Sequence, residues 1–164
     1  MMSRLVRLFV VLALLCVAVP ARAQVSILMQ VVGSNQGDSM NSSYPGSKGW
    51  TYVDAAALSV GNPCVISLSK PLNLLTPLLT LRSIKGGEFE YNVVWLSQAG
   101  GGKPFELLRL SGRAQVNGST ISGFTEGPRE DFALVANLLE MAVQIPDQRG
   151  NTLTQSVEKL ACTP

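Results

Sequence analysis

The chain has 164 residues, with 13 basic and 11 acidic side chains and no histidine. A single domain is the default at this length. The missing imidazole excludes Ser–His or Cys–His nucleophile pairs and histidine-ligated zinc or haem.

Residues 1–7 carry Arg4 and Arg7, and Leu8 to Val19 is an unbroken apolar run of 12 residues. Pro20 and the small-x-small triplet Ala21-Arg22-Ala23 follow. This order is that of a secretory signal peptide, with cleavage expected between Ala23 and Gln24. As a helix the run rises about 18 Å, short of the roughly 30 Å of a bilayer core, so no permanent membrane span is expected. Export through the inner membrane, to the periplasm or the medium, is the expected route.

Removing 23 of the 164 residues leaves 141 for residues 24–164. Three of the 13 basic residues go with the leader, so ten face 11 carboxylates and the net charge becomes −1. No basic patch remains to neutralise a run of phosphates, so nucleic acid is excluded as an expected partner. Two cysteines remain, Cys64 and Cys162. An even pair in an exported chain points to a disulfide, with two inert thiols as the alternative. If bonded, they close a loop of about 100 residues, for which the chain-entropy model gives roughly 4–5 kcal/mol.

Val25 to Val32 reads as an apolar first strand. Residues 33–49 are mostly Gly, Ser, Asn and Asp and read as a long loop, of the kind that is usually functional or disordered. A strand is expected from Trp50 to about Val60, then a Gly61-Asn62-Pro63 turn and an alternating strand from Cys64 to Lys70. One helix is predicted from Pro77 to about Lys85, with Thr76 as N-cap and Gly86 taking the left-handed position after its end. Leu78 and Leu81, widened by Leu79 and Ile84, form its expected apolar face.

Glu88 to Ser97 alternates, with Phe89, Tyr91 and Val93 expected inward. Gly100-Gly101-Gly102 makes a hairpin loop into a strand that runs to Val116. Asn117-Gly118 is a two-residue turn signal joining 113–116 to 119–122. Residues 123–130 read as a second loop, and 131–144 suits either an amphipathic helix or a bulged strand. A last strand is expected from Thr152 to about Leu160. The fold class is mainly β, a two-sheet antiparallel barrel or sandwich with one short helix.

Chemistry-bearing motifs are sparse. Ser67-Leu68-Ser69-Lys70 matches S-x-x-K, but residues three apart on a strand point to opposite faces. Glu88 and Glu90 share a strand face and read as a solvated edge rather than an acid/base pair. No catalytic residue, metal ligand or cofactor site is expected, and the chain reads as a non-enzyme.

Lys70-Pro71-Leu72, Thr76-Pro77-Leu78-Leu79 and Gly86-Gly87 resemble the spacing around the single helix of the Hcp family, the haemolysin-coregulated tube proteins of type VI secretion. Val32-Gly33 before a polar loop, Gly49-Trp50 after it, and Gly101-Gly102 before Phe105, Leu108 and Leu110 extend the resemblance over roughly residues 25–145. The resemblance implies a β-barrel whose copies close into a hexameric ring and stack into a tube, with a spike protein or lumen effectors as further partners. It also makes the 33–49 loop the candidate interface between subunits or rings, carried by Gly33, Asp38, Met40, Tyr44 and Trp50. The function expected is therefore an exported structural subunit of Hcp type. A monomeric periplasmic binding module using the same loop is the alternative, and an exported hydrolase a third.

Overall fold

β1 (Gln24–Val31) places Val25, Ile27, Met29 and Val31 on one face, and Gln24, Ser26, Leu28 and Gln30 on the other. A computed structural model of the chain describes residues 24–34, 49–98, 104–125, 127–146 and 152–162. After β1 come β2 (Trp50–Val53), β3 (Ala55–Ser59) and β4 (Cys64–Pro71). The helix α1 (Thr76–Lys85) is followed by β5 (Phe89–Gln98), β6 (Phe105–Phe124), β7 (Gly127–Pro146) and β8 (Thr152–Ala161). All strand pairings are antiparallel.

The strand order is β2-β1-β5-β6-β7-β4-β3, with β8 added on β7. The first and last strands of that path, β2 and β3, are separated in the chain by Asp54 alone. The sheet is therefore curled until its two ends meet, and the Asp54 N–H donates to the Ser69 carbonyl at 2.8 Å where they join. One continuous ladder thus supplies both layers of the expected barrel. Its interior is filled by Met29 and Val31 from β1, Ile66 and Leu68 from β4, Tyr91 and Val93 from β5, Leu110 from β6 and Leu134 from β7.

A ladder this curved needs points where it bends. In β6 the register slips between Arg113 and Ala114 and again between Asn117 and Ser119. Gly112, at φ 153°, lies so close to β7 that a Cβ there would collide with the Leu138 carbonyl. Bulges of this kind increase local twist and let one strand serve both layers.

Several sequence expectations change here. Asn117-Gly118 is not a hairpin turn but a bulge in a continuous strand, with Asn117 opposite Ala133 and Ser119 opposite Phe132. A type I′ turn needs positive φ at both central residues, and only Gly118 has it. The chain reverses instead between Phe124 and Gly127, so the expected 123–130 loop is mostly strand. Residues 131–144 belong to β7, paired on both sides by neighbours that no local periodicity reveals. The strand expected from Trp50 breaks at Asp54, where the barrel closes.

Candidate functional site

Alternation along β4 places Cys64, Ile66, Leu68 and Lys70 inward. Lys70 therefore carries a charge into the barrel, where its Nζ meets Glu130 Oε2 of β7 at 2.7 Å, both side chains being 0% exposed. The ammonium also donates to Thr76 Oγ1 at 2.7 Å and Asn73 Oδ1 at 2.9 Å. Glu130 Oε1 accepts the Ser119 hydroxyl at 2.8 Å. A charge buried without such partners would cost several kcal/mol, so the cluster stands or falls as a unit.

The same cluster sets the start of α1. Asn73 Oδ1 accepts the Leu75 N–H at 3.0 Å, and Thr76 Oγ1 accepts the Asn73 N–H at 3.2 Å. Asn73 Nδ2 donates to Thr51 Oγ1 in β2. Thr76 is thus the first helical residue rather than the N-cap; Leu75 occupies the cap position without a side-chain bond. Thr76 is unavailable for capping because its hydroxyl is already committed to Lys70. Gly86 has positive φ, 69°, as expected, but its ψ of −165° leads into extended chain. The inward face is carried by Leu79, with Leu75 just ahead of it, while Leu81 is 46% and Ile84 78% exposed. Docking through the first turn, where the Lys70 cluster lies, rotates those two residues outward.

Other candidate residues are dispersed. Ser67 is exposed on the outer face of β4 and Lys70 is buried on the inner one, so the S-x-x-K string assembles no dyad. Glu90 pairs with Arg113 at 3.0 Å, and Glu88 accepts from Asn137. Cys64 and Cys162 are disulfide-bonded, with Cα atoms 5.2 Å apart. Gly33 has φ 79° just after β1. Trp50 is buried at the other end of the loop, in a small outer cluster with Leu28, Val94 and Leu96. Asp38, Met40, Tyr44 and the leader through Ala23 lie outside the described residues; Gln24 is the first residue of β1.

The outer surface offers a shallow cleft of about 480 Å³ across β3, β4, β6 and β7, lined by small side chains such as Ala55, Ala57, Ser67 and Ala133. Leu74, 68% exposed, stands with Leu81 and Ile84 as an apolar fringe on and before α1. Among the described residues no three His, Cys, Asp or Glu side chains group as a metal site, and no helix is long and apolar enough to cross a membrane. The Lys70 cluster escaped the sequence reading, although alternation from Ile66 and Leu68 already put Lys70 on the inner face.

No family model and no curated protein matches the chain. Solved structures do match. Hcp1 from Salmonella typhimurium is 16% identical, with 84% of this chain and 94% of that one covered at a TM-score of 0.68. A structure described as a type six secretion system protein is also 16% identical, covering 84% and 96% at 0.72. Secreted protein Hcp3 from Pseudomonas aeruginosa is 13% identical, covering 83% and 97% at 0.59. At such identities the likeness is one of fold: the chain has the Hcp barrel, as the motifs around α1 led one to expect.

Proposed function

We propose that this chain is a non-enzymatic structural subunit, an exported relative of the ring- and tube-forming Hcp proteins. It works as a homo-oligomer, hexameric by analogy, in the periplasm or outside the cell, with a spike protein or lumen effectors as further partners. The observation that carries this reading is the likeness of the whole barrel, over 84% of this chain, to a solved type six secretion system protein. The exposed apolar side chains Leu74, Leu81 and Ile84 agree with a surface that a neighbouring copy covers. A head-to-tail contact that closes by rotation gives a ring, and one that does not close gives a filament.

Light scattering coupled to size exclusion, on the exported protein under oxidising and reducing conditions, tests the reading. A discrete closed oligomer is expected. A monomer at tens of micromolar under both conditions overturns the ring. The N-terminal mass of the same material tests export separately: a chain beginning at Gln24 is expected, and one beginning at Met1 contradicts it.

A further inference from the structure

Three groups with complementary reactivity meet under the first turn of α1. Lys70 supplies an amine, Glu130 a carboxylate 2.7 Å from it, and Asn73 a carboxamide whose oxygen is 2.9 Å from the same Nζ. Lys70 and Glu130 are fully shielded from solvent. We propose that Lys70 and Asn73 condense, with Glu130 as proton acceptor, into an intramolecular amide bond between Nζ and Cγ.

The surroundings favour each stage. In a low-dielectric interior, moving a proton from Nζ to Oε2 turns two buried charges into two neutral groups and frees the lone pair of the amine. Rotation about the last bonds of the lysine side chain then carries Nζ from the Asn73 oxygen to the carbon that bears it. The Leu75 N–H already donates to Asn73 Oδ1 at 3.0 Å and remains there as negative charge builds on that oxygen. Thr51 Oγ1, accepting from Asn73 Nδ2, fixes the plane of the carboxamide. The amine and the proton acceptor are shielded from solvent, while the half-buried Asn73 leaves the departing ammonia a way out.

The atoms balance without an oxidant or a metal. Glu130 takes one proton from the Lys70 ammonium, and the amine forms the Nζ–Cγ bond. The tetrahedral adduct then breaks its Cγ–Nδ2 bond. A second Nζ proton passes to Nδ2, which departs as ammonia. The products are a secondary amide, ammonia and a protonated Glu130. The bond would fasten the end of β4 to the segment that starts α1, making covalent a junction otherwise held by hydrogen bonds.

Mass spectrometry of the reduced, denatured protein tests this. The peptide containing residues 70–73 is expected about 17 Da below its sequence mass, the loss of one ammonia. Backbone cleavages between residues 70 and 73 should release no separate fragments, because the new bond closes that segment into a ring. Two other ammonia losses are told apart by the same experiment. Cyclisation of an N-terminal Gln24 maps to the first peptide, and a succinimide at Asn73-Leu74 leaves the 70–73 fragments intact and is cleaved by hydroxylamine. Asn73→Ala and Lys70→Arg should each restore the unmodified mass. A wild-type peptide at its full sequence mass overturns the proposal, as does a loss that persists in Lys70→Arg. If a variant fails to fold, the fragment pattern and hydroxylamine resistance of the wild-type peptide still decide the matter.

Discussion

Cys162 directly follows β8 at the place where Cys64 begins β4, and the bond between them splices two strands into one line along β7. Cys64 lies opposite Ala136 of β7, and Ala161 opposite Leu138, two positions further on. The Cys162 N–H donates to the intervening Asn137 carbonyl at 3.0 Å. β8 is joined only to β7 among the described strands, and residues 155–159 are exposed on both of its faces. The disulfide therefore anchors the element least able to hold itself by burial.

Breaking that bond should loosen β8 before the barrel. For Cys162→Ser we expect a loss of about 2–5 kcal/mol, with the single remaining thiol at Cys64 alkylated only on opening. Hydrogen exchange should show residues 152–161 losing protection first. Intact mass before and after reduction, with thiol labelling, establishes the bond itself; two free thiols in the purified protein would contradict it.

In an Asn73→Ala background, where Lys70 keeps its free amine, the Lys70–Glu130 pair should behave as a buried ion pair with one strong asymmetry. Lys70→Met or Glu130→Leu alone leaves the other group unpaired and should cost about 3–5 kcal/mol, whereas the double change should recover much of that. Denaturant unfolding of the three variants measures the coupling. Additive losses in the double variant would rule out a direct pair.

Two glycines of β6 should respond differently to alanine. At Gly112 the added Cβ meets the Leu138 carbonyl, so Gly112→Ala must push two strands apart and should cost roughly 1–3 kcal/mol or more. At Gly118 nothing lies within 4 Å of the new atom, and only the φ of 75° opposes it. Gly118→Ala should therefore cost about 1 kcal/mol. Thermal unfolding of both variants gives the ranking, and equal losses would mean that the close approach at Gly112 is relieved at no cost.

Tyr91 adds a dependence on alkaline pH. Its burial pushes the phenol far above the ordinary value of 10.0, so the folded barrel keeps a proton that the unfolded chain releases near that pH. Above about pH 10 the folded state binds more protons than the unfolded one, and stability falls as pH rises. Tyr91→Phe should flatten this part of the profile. Wild-type and variant curves of the same slope above pH 10 would count against the assignment.

How far the sequence reaches can be seen along β4. Strict alternation of Cys64, Ile66 and Leu68 with Val65, Ser67 and Ser69 made the strand legible, and the same parity put Lys70 inside. It did not reveal Glu130, 60 positions away, because pairing between β4 and β7 is a matter of register and not of local pattern. At Asn117-Gly118 the local signal was sound turn chemistry, yet continuous pairing on β7 absorbed it as a bulge. In α1 the apolar residues go nearly all the way round, so which of them faced inward was settled by where the first turn docks.

By itself, then, the sequence determined a β-rich domain, one short helix bounded by Pro77 and Gly86, and, with no histidine, no imidazole to work with. These depend on composition, on two-residue alternation and on the backbone preferences of proline and glycine, all of which act within a few residues. Only the tertiary structure decided that β2 and β3 close the barrel at Asp54, and that Lys70, Asn73 and Glu130 converge under the helix. Those outcomes depend on strand register and curvature, which bring distant residues within hydrogen-bonding reach and leave no trace in local pattern.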